Sequence, residues 1–286
     1  DDRDPAGMTR LLDRSLERLK TGYIDLYFLH GMRKIDELNE GTRKWAEKAK
    51  ADGKIRLFGF STHRNMAELL QGAAKLGWID GIMLTYNFRN MHTEKMRAAV
   101  DACVKAGIGL TAMKTQAETS WYDFSRSTRE GKALAEQFEQ KGWTEAQAKL
   151  KAVWQNPHIA SICSQMDSMR LLKANSEAAA DPTPLSSEAS HLLERYAMAT
   201  AGHYCMACGL CHTAGTAGQV PVSDIMRYHM YNRGYGRSDW ARHHFSRLPD
   251  TVRDALTCAD FTVAESRCPQ GMPIGRLMRE AVVDFA

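Results

Sequence analysis

The 286-residue sequence contains no apolar run long enough to cross a membrane and no signal-peptide pattern. Its formal net charge is only +4 and its basic residues are scattered, so a nucleic-acid partner has no support. We expect neither a membrane nor a nucleic-acid partner, and a cytoplasmic location. Because the sequence begins with Asp1 rather than Met, an export signal further upstream stays an open alternative.

Lysine is absent from Glu188 to the end, a stretch with ten Arg, ten Asp plus Glu, and six of the ten His residues. The excess positive charge therefore falls in the part of the sequence before Glu188. This change in composition favours a boundary near the stretch DPTPLSS. We predict a first domain at 1–180, a linker at 181–187 and a second domain at 188–286.

Five short runs rich in apolar and β-branched residues alternate with helical patterns in the first region. The runs predicted as strands are Ile24–His30, Ile55–Ser61, Gly81–Asn87, Gly107–Lys114 and Ile159–Gln165. Strands that alternate with helices indicate parallel βαβ topology. Polar residues stand at the C-terminal ends of these runs, which is the active-site face of a TIM barrel. We therefore expect one shared rim to carry His30, Ser61, Tyr86 and Lys114.

In the second region, Cys205, Cys208 and Cys211 have C-x2-C-x2-C spacing and Cys268 precedes a proline. Bacterial ferredoxins use C-x2-C-x2-C-x3-C-P twice, and the fourth cysteine of one copy ligates the cluster of the other. Under this rule one complete ligand set remains, formed by the four cysteines just named. The other set would need Gly215, Cys258, Phe261 and Ala264. We predict one 4Fe–4S cluster and the remnant of a second.

A zinc site and disulfides are the alternatives for these cysteines. Zinc ribbons prefer two well-separated C-x2-C pairs, and seven cysteines cannot all pair with each other. His203 and His212 flank the motif as substitute ligands that a complete cysteine set does not require. Cys103 and Cys163 lie in apolar runs, so we expect both in the core, and we expect Cys258 as a lone thiol.

The tail has four predicted helices, Glu188–Thr200, Val222–Tyr231, Ser238–Leu248 and Ile274–Phe285. The aromatic residues near them are expected to pack a small helical domain.

The chain resembles strands four to eight of the aldo/keto reductase barrel, in order, in LLDRSLERLKTGYIDLYFLHG, GKIRLFGFSTH, IDGIMLTYNF, AGIGLTAMK and NPHIASICSQMDSMRLLKANSEAA. Its tail resembles the iron–sulfur branch of that family in CMACGLC, VPVSDIMRYHMYNRGYG and CPQGMPIGRLMREA. The resemblance implies an α/β fold: a partial (β/α)8 TIM barrel (strands four to eight), followed by a mostly helical ferredoxin-type Fe–S domain.

The resemblance also implies NADPH-dependent reduction of a small-molecule carbonyl. His30 matches the catalytic His that orients the carbonyl oxygen. The family's Asp, Tyr and Lys lie on strands one to three, which the five runs do not include. At the usual size of a βα unit, roughly 90 residues of the barrel would be missing.

Four residues are candidates for the nicotinamide side of an NADP(H) site. Ser61 matches the Ser that contacts the nicotinamide amide, and Thr62 stands where Asn is usual. Met83 replaces a Gln, which removes one amide hydrogen bond. Lys114, at the end of the seventh strand, completes this set.

Three further candidates follow the last strand. Ser168 and Asn175 match the family's adenine-side motif, in which Gln165 replaces a Gly. Arg170 either meets a 2′-phosphate or is an ordinary exposed helix residue.

Three functions therefore stay open. The first is an oxidoreductase with a nicotinamide cofactor, a 4Fe–4S cluster and an unknown redox partner. The second is a non-catalytic electron-transfer or structural Fe–S protein on a degenerate barrel, which Thr62 and Met83 motivate. The third is an interaction module stabilised by zinc.

Overall fold

The computed structural model describes residues 2–117, 129–140, 142–166, 168–206, 208–211, 220–234 and 236–286. The chain divides into two compact units, one formed by 1–115 and 150–181 and the other by 116–149 and 182–286. Each unit has its own hydrophobic core. None of the helices in the described ranges combines the length and apolarity that a membrane span requires.

The first unit is built on a five-stranded sheet, and the prediction of five parallel strands is confirmed. The strands are β1 Ile24–Leu29, β2 Ile55–Thr62, β3 Gly81–Thr85, β4 Gly109–Met113 and β5 Ile159–Cys163. They pair in chain order, and every pairing is parallel. A parallel pair needs a crossover connection, which the intervening helices provide.

Most helices of this unit, though not Met66–Ala73, begin where the sequence supplies a capping side chain. Asp4 accepts a hydrogen bond from the Gly7 N–H, and Asn39 accepts one from the Thr42 N–H. Such caps satisfy N–H groups that have no partner within the helix. The helices lying wholly in the unit are Pro5–Leu19, Glu40–Ala51, Met66–Ala73, Glu94–Lys105 and Met169–Ala180.

The two faces of the sheet differ because successive side chains of a strand point to opposite sides. One face is buried beneath the helices, where Phe58 lies between Trp45 and Trp78 with ring centroids 6.0 and 5.7 Å away. The other face is more open: Gly59, Ser61 and Gly81 on it are buried, but five further residues are half or wholly exposed, namely Leu57, Met83, Thr111, Ser161 and Cys163.

The expectation for the two core cysteines is half right. Cys103 is fully buried, and burial raises the pKa of its thiol to about 12. Cys163 is exposed, which corrects the prediction of a core residue. It lies at the end of β5, and its side chain lies on the face of the sheet that the described helices of this unit do not cover.

A row of glycines crosses the exposed face. Gly59 pairs with Gly81, and Gly81 pairs with Gly109. A Cβ on Gly59 would come within 1.9 Å of the Gly81 carbonyl oxygen and 2.8 Å of the Phe28 ring. Glycine is therefore required at this position by close packing between neighbouring strands.

The second unit is helical in its described part. Its long N-terminal helix, Arg129–Gln140, packs against Ser187–Ala199. The other helices are Glu145–Trp154, whose last residues belong to the first unit, and Val222–His229, Ser238–Ser246, Asp250–Cys258, Thr262–Ser266 and Ile274–Phe285.

Three of the predicted tail helices are observed within a few residues of their expected bounds, and Ile274–Phe285 matches at both ends. The expected Val222–Tyr231 instead changes at Met230 into a π-helical turn, Met230–Gly234. Sequence reasoning missed Asp250–Cys258 and Thr262–Ser266. Thr262–Ser266 has five residues, too few turns for a clear apolar period, and Asp250–Cys258 buries only Leu256.

A buried histidine lies in the core of the second unit. His229 has no exposed surface, and its Nε2 lies 2.7 Å from the Leu277 carbonyl oxygen. Its Nδ1 lies 3.8 Å from Asp284, which also pairs with Arg233 at 2.5 Å. Burial lowers the pKa of His229, although the Leu277 carbonyl opposes this shift.

We predict that Gly59→Ala destabilises the first unit by about 1–3 kcal/mol, because the added methyl group overpacks the strand contact. Gly109→Ala is the matched control, since its Cβ would meet its nearest atom, the Asp80 carbonyl oxygen, at an ordinary 3.7 Å. Urea unfolding followed by circular dichroism measures both variants. Equal effects of the two substitutions would contradict the packing argument.

We also predict that stability falls below about pH 6.5 because of His229. The unfolded chain takes up a proton on this residue near pH 6.5, whereas the folded chain resists it until the pH is lower. The unfolding midpoint should therefore drop between pH 7 and pH 5 more in the wild type than in His229→Gln. The exposed His243→Gln serves as control, and a wild-type slope in His229→Gln would refute the assignment.

Candidate functional site

The first candidate site lies at one edge of the sheet. Because all five strands are parallel, their carboxyl ends meet at the same edge. Three of the polar residues predicted for the shared rim lie at these carboxyl ends. His30 follows β1, Ser61 is the next-to-last residue of β2, and Lys114 follows β4. His30 and Lys114 are exposed, and Ser61 is buried.

The ends of β1 and β2 are fixed to each other by hydrogen bonds. The Gly31 N–H donates to Ser61 Oγ at 3.0 Å, and the Met32 N–H donates to the Ser61 carbonyl at 2.8 Å. Thr62 is fully buried, and its hydroxyl lies 2.9 Å from the Met32 carbonyl and 2.8 Å from that of Arg64. The Thr62 hydroxyl is therefore used to hold the backbone after β1 and β2, whereas the Ser61 hydroxyl, which accepts from Gly31, still has a proton to donate.

On the outer side of this pair, Arg3 holds the backbone beside His30. Its guanidinium donates to the His30 carbonyl at 2.5 Å and lies 3.7 Å from Glu37. The backbone of His30 is thereby fixed while its ring stays exposed.

Asn87, which the sequence places at the end of a predicted strand, connects the end of β3 with the residue after β4, and Asn90, which sequence reasoning did not assign to the site, holds the turn after β3. Asn87 donates from Nδ2 to the Lys114 carbonyl at 3.1 Å, and Asn90 donates to the Thr85 carbonyl at 2.9 Å. Thr85 Oγ1 in turn lies 3.1 Å from His63 Nδ1. The spacing Asn-x2-Asn directly after a strand is the signal that could have identified this pair.

Tyr86 departs from the expected rim arrangement. Its backbone lies at the edge, but its side chain is buried in the core and its hydroxyl accepts from Asn156 Nδ2 at 2.8 Å. Burial raises the pKa of Tyr86, and the Asn156 amide partly offsets this. The nearby Arg89 is also buried, and its guanidinium lies 4.9 Å from the Phe88 ring centroid.

Lys114 carries the backbone strain of the edge. Its φ is +56°, and that of Ala117 is +43°, a left-handed conformation that non-glycine residues seldom adopt. The turn after β4 therefore has two non-glycine residues with positive φ within four positions. Strain of this kind concentrates at functional sites.

The residues after β5 are partly tied to the strand. Asn175 is buried and donates from Nδ2 to Ser164 Oγ at 3.3 Å. Ser168 caps the helix Met169–Ala180 by accepting from the Leu171 N–H at 3.3 Å. Arg170 is exposed on the same helix, and Met83 is half-buried on β3. Ser168 and Arg170 are therefore exposed at this edge, whereas the Asn175 side chain is buried and holds Ser164.

The second candidate site is formed by cysteines of the second unit. Cys205, Cys211 and Cys268 pack at the border of its hydrophobic core, and all four predicted ligands are half-buried. Cys258 is exposed, and its thiol donates to the Asp254 carbonyl at 3.4 Å. None of the seven cysteines is joined in a disulfide.

The structure brings the two cysteine segments together. Gln270 Nε2 donates to Met206 Sδ at 2.9 Å, which connects the segment after Cys268 with the C-x2-C-x2-C segment. A Cβ on Gly202 would also lie 3.8 Å from the carbonyl oxygens of Gln270 and Gly271. Segments more than 60 residues apart in sequence are therefore neighbours.

A backbone N–H group points at one of the sulfurs, since the Met272 N–H donates to Cys268 Sγ at 3.4 Å. Burial raises the pKa of Cys208, and it raises that of Cys211 to about 11. The Leu210 N–H partly offsets the effect on the pKa of Cys208. Neighbouring thiols contribute in the raising direction to the pKa of both cysteines.

As placed, however, the described residues contain no group of three or more His, Cys, Asp and Glu side chains that could hold a metal ion. His212 and Gly215, which the sequence argument used, lie outside the described residues. Cysteine thiolates are the ligands of Fe–S clusters, so the cysteines of this region supply the donor type that such a cluster would need.

Comparison with known proteins identifies the first region. Residues 1–172 match the model of the aldo/keto reductase family, so the tail lies outside this match. The chain is 29% identical over 194 residues to the uncharacterized oxidoreductase YqkF of Bacillus subtilis, which covers 62% of each protein. The chain thus spans less than two thirds of the length of that relative.

Solved structures share the fold of this region. The holo form of aldo-keto reductase AKR11C1 from Bacillus halodurans matches with a TM-score of 0.55 and 23% identity over 68% of both chains. An aldo-keto reductase from Klebsiella pneumoniae, solved in complex with NADPH, matches with a TM-score of 0.51 and 21% identity over 66% of this chain and 63% of its own.

Proposed function

Because the chain belongs to the aldo/keto reductase family, we propose that the protein is an NADP(H)-linked oxidoreductase that acts on a small-molecule carbonyl. The observation that carries the proposal is the shared edge, where His30, Ser61 and Lys114 lie at or just beyond the carboxyl ends of three parallel strands. Ligands of α/β folds bind outside the carboxyl ends of the strands. In this reading, residues 1–180 are part of a barrel and 181–187 form a linker.

His30 is the residue we assign to the substrate. Its exposed imidazole can donate a hydrogen bond to a carbonyl oxygen, which polarises the C=O bond for hydride attack. The Arg3 contact to its carbonyl fixes the backbone from which the ring projects. The bound nicotinamide cofactor would supply the hydride.

For the cofactor, the side chains of the edge that still have a hydrogen-bonding group to offer are more suitable than those committed to backbone carbonyls. Ser61 can donate its hydroxyl proton to a carboxamide oxygen while it accepts from Gly31. Thr62 is committed to backbone carbonyls, and Met83 offers an apolar contact where the family uses an amide. We therefore assign nicotinamide recognition to Ser61, and the phosphate and adenine side to Ser168 and Arg170.

The tail carries a second proposed function, the binding of one 4Fe–4S cluster by Cys205, Cys208, Cys211 and Cys268 within a ferredoxin-type domain at 188–286. Its support is the adjacency of two distant cysteine segments and the Met272 N–H that donates to Cys268 Sγ. Such a cluster would supply one-electron chemistry, and N–H···S bonds of this kind help to set its potential.

We predict that the 286-residue chain alone does not reduce carbonyls with NADPH at an enzymatic rate. His30 can orient the carbonyl oxygen of the substrate, but the family's catalytic Tyr, the proton donor, lies on strands that these 286 residues do not include. The loss of a positioned proton donor costs about 10²–10⁴-fold in rate. NADPH oxidation at 340 nm with a panel of aldehydes measures this. Full turnover by these 286 residues would place the catalytic groups elsewhere.

The complete reading frame provides the complementary test. If it supplies the family's Asp, Tyr and Lys, activity should be present, and His30→Ala should reduce it more than His158→Ala, an exposed histidine before β5. Equal activity of both variants would remove His30 from the mechanism. A protein that binds no nicotinamide would favour the non-catalytic electron-transfer alternative.

We predict about four iron and four sulfide per chain after anaerobic purification, because four thiolates ligate one cubane. Cys208→Ser should abolish the iron, whereas the matched control Cys258→Ser should retain all of it. Iron, sulfide and zinc assays on the three proteins decide the question. Stoichiometric zinc without sulfide would support the zinc alternative, and loss of half the iron in Cys258→Ser would indicate two clusters.

A further inference from the structure

One stretch of the tail carries more positive charge than the rest. Residues 222–248 contain five Arg and two Asp, whereas 188–221 and 249–286 together contain five Arg and eight Asp plus Glu. The tail is neutral as a whole, so its charges are segregated along the sequence. Because the tail has no Lys, this positive charge is carried by guanidinium groups, which bind carboxylates in a bidentate manner.

Two of these arginines lie on the same face of a helix as a tryptophan. The helix Ser238–Ser246 buries Phe245 in the core of the second unit, and Trp240 is half-buried on another side of it. Arg237 and Arg247 flank the helix three residues before and seven residues after Trp240, a spacing that places all three on one face. Both arginines are exposed, and neither forms an ion pair with the residues that the structure describes.

The acidic residues that flank this face in sequence do not cancel its charge. Asp239 directly precedes Trp240 and therefore lies about 100° around the helix from it. Asp250 is bound to Arg253. The face that carries Trp240 is therefore positively charged.

The aromatic rings around Trp240 stack on each other. The ring centroids of Tyr231 and His244 lie 3.9 and 4.0 Å from that of Trp240, and Tyr228 meets the same ring edge-on at 5.9 Å. The guanidinium carbon of Arg227 lies 5.6 Å from the Tyr231 ring centroid. The stack holds the rings in one arrangement and adds a third guanidinium group beside them.

We propose that one surface of the second unit binds a protein partner that presents a cluster of carboxylate groups. This arginine–aromatic surface consists of Arg227, Tyr231, Arg237, Trp240, His244 and Arg247. Trp, Tyr and Arg are the residues enriched at protein interfaces, whereas Lys is depleted there. The guanidinium groups pair with the carboxylates, and the rigid ring stack supplies apolar contact area between them.

Two other anionic partners fit this surface less well. A single-stranded nucleic acid stacks its bases on open aromatic rings, but Tyr231 and His244 occupy the space over the Trp240 ring that a base would need. An amphipathic helix that binds a membrane turns its apolar residues outward, whereas Ala241 and Phe245 of this helix are buried in the core.

The test measures binding of poly-L-glutamate, a carboxylate probe, to the full 286-residue chain by isothermal titration calorimetry at low ionic strength. Arg237→Gln/Arg247→Gln should weaken binding by about tenfold, which is the combined effect of two exposed charge contacts. Arg195→Gln/Arg279→Gln removes the same charge from exposed positions on other helices and should change the affinity by less than about twofold. Equal losses in the two double variants would overturn a localised binding surface.

Further variants and probes decide the kind of partner. Arg237→Lys/Arg247→Lys keeps the charge and loses the bidentate geometry, so it should also weaken binding, and an unchanged affinity would overturn recognition by guanidinium groups. Oligothymidylate and phosphatidylserine vesicles serve as phosphate-bearing probes. Tighter binding of either than of poly-L-glutamate, with the same dependence on the two arginines, would overturn the protein partner. A wild-type chain that does not bind poly-L-glutamate would overturn the surface itself.

Discussion

The parallel direction of all five strands is the constraint on which the proposed active site depends. It brings residues from positions 30 to 175 to one edge, although the segments that carry them are separated by whole helices. Side-chain hydrogen bonds then join neighbouring strand ends, as in the contacts of Ser61 with Gly31 and of Asn87 with Lys114. The edge is therefore held in place by the same groups that would face a ligand.

In the part of the chain that the structure describes, the helices of the first unit cover only one face of the sheet. Leu57 is 45% exposed, and Ser161 and Cys163 are exposed on the same face. Parallel sheets normally have both faces covered, and in a barrel the inner face is filled by layers of side chains from several strands. The row of glycines at Gly59, Gly81 and Gly109, with Phe28 beside it, is suited to such an interior.

In the tail, hydrophobic packing rather than metal geometry positions the cysteines in the described structure. Two positions that a second ferredoxin motif would need, Phe261 and Ala264, are buried in the core. Cys258 instead points outward and bonds within its own helix. Phe261 and Ala264 thus belong to the core against which Cys205, Cys211 and Cys268 pack.

Much of this arrangement could be predicted from the sequence, because apolar β-branched runs and polar strand ends are local signals. The five strands, the shared edge and the helix Ile274–Phe285 were predicted in this way. Features that depend on tertiary packing were not. The exposure of Cys163 depends on which face of β5 the helices cover, and the inward direction of Tyr86 depends on its bond with Asn156.

The short helices Asp250–Cys258 and Thr262–Ser266 and the π-helical turn Met230–Gly234 were also missed. A helix of little more than one turn, or one that buries a single residue, gives too few apolar repeats to identify. The π-helical turn carries Arg233, which pairs with Glu280 and Asp284 of a helix distant in sequence.

The central claim, that the carboxyl edge of the sheet is a nicotinamide site, is tested most directly by hydrogen–deuterium exchange with and without NADPH. The protein should be expressed from its complete reading frame. The account predicts slower amide exchange in the segments after β1, β2 and β4 and around Ser168, with no change at the amino ends of the same strands. Unchanged exchange at the carboxyl edge with saturating NADPH, or protection at the amino ends, would contradict it.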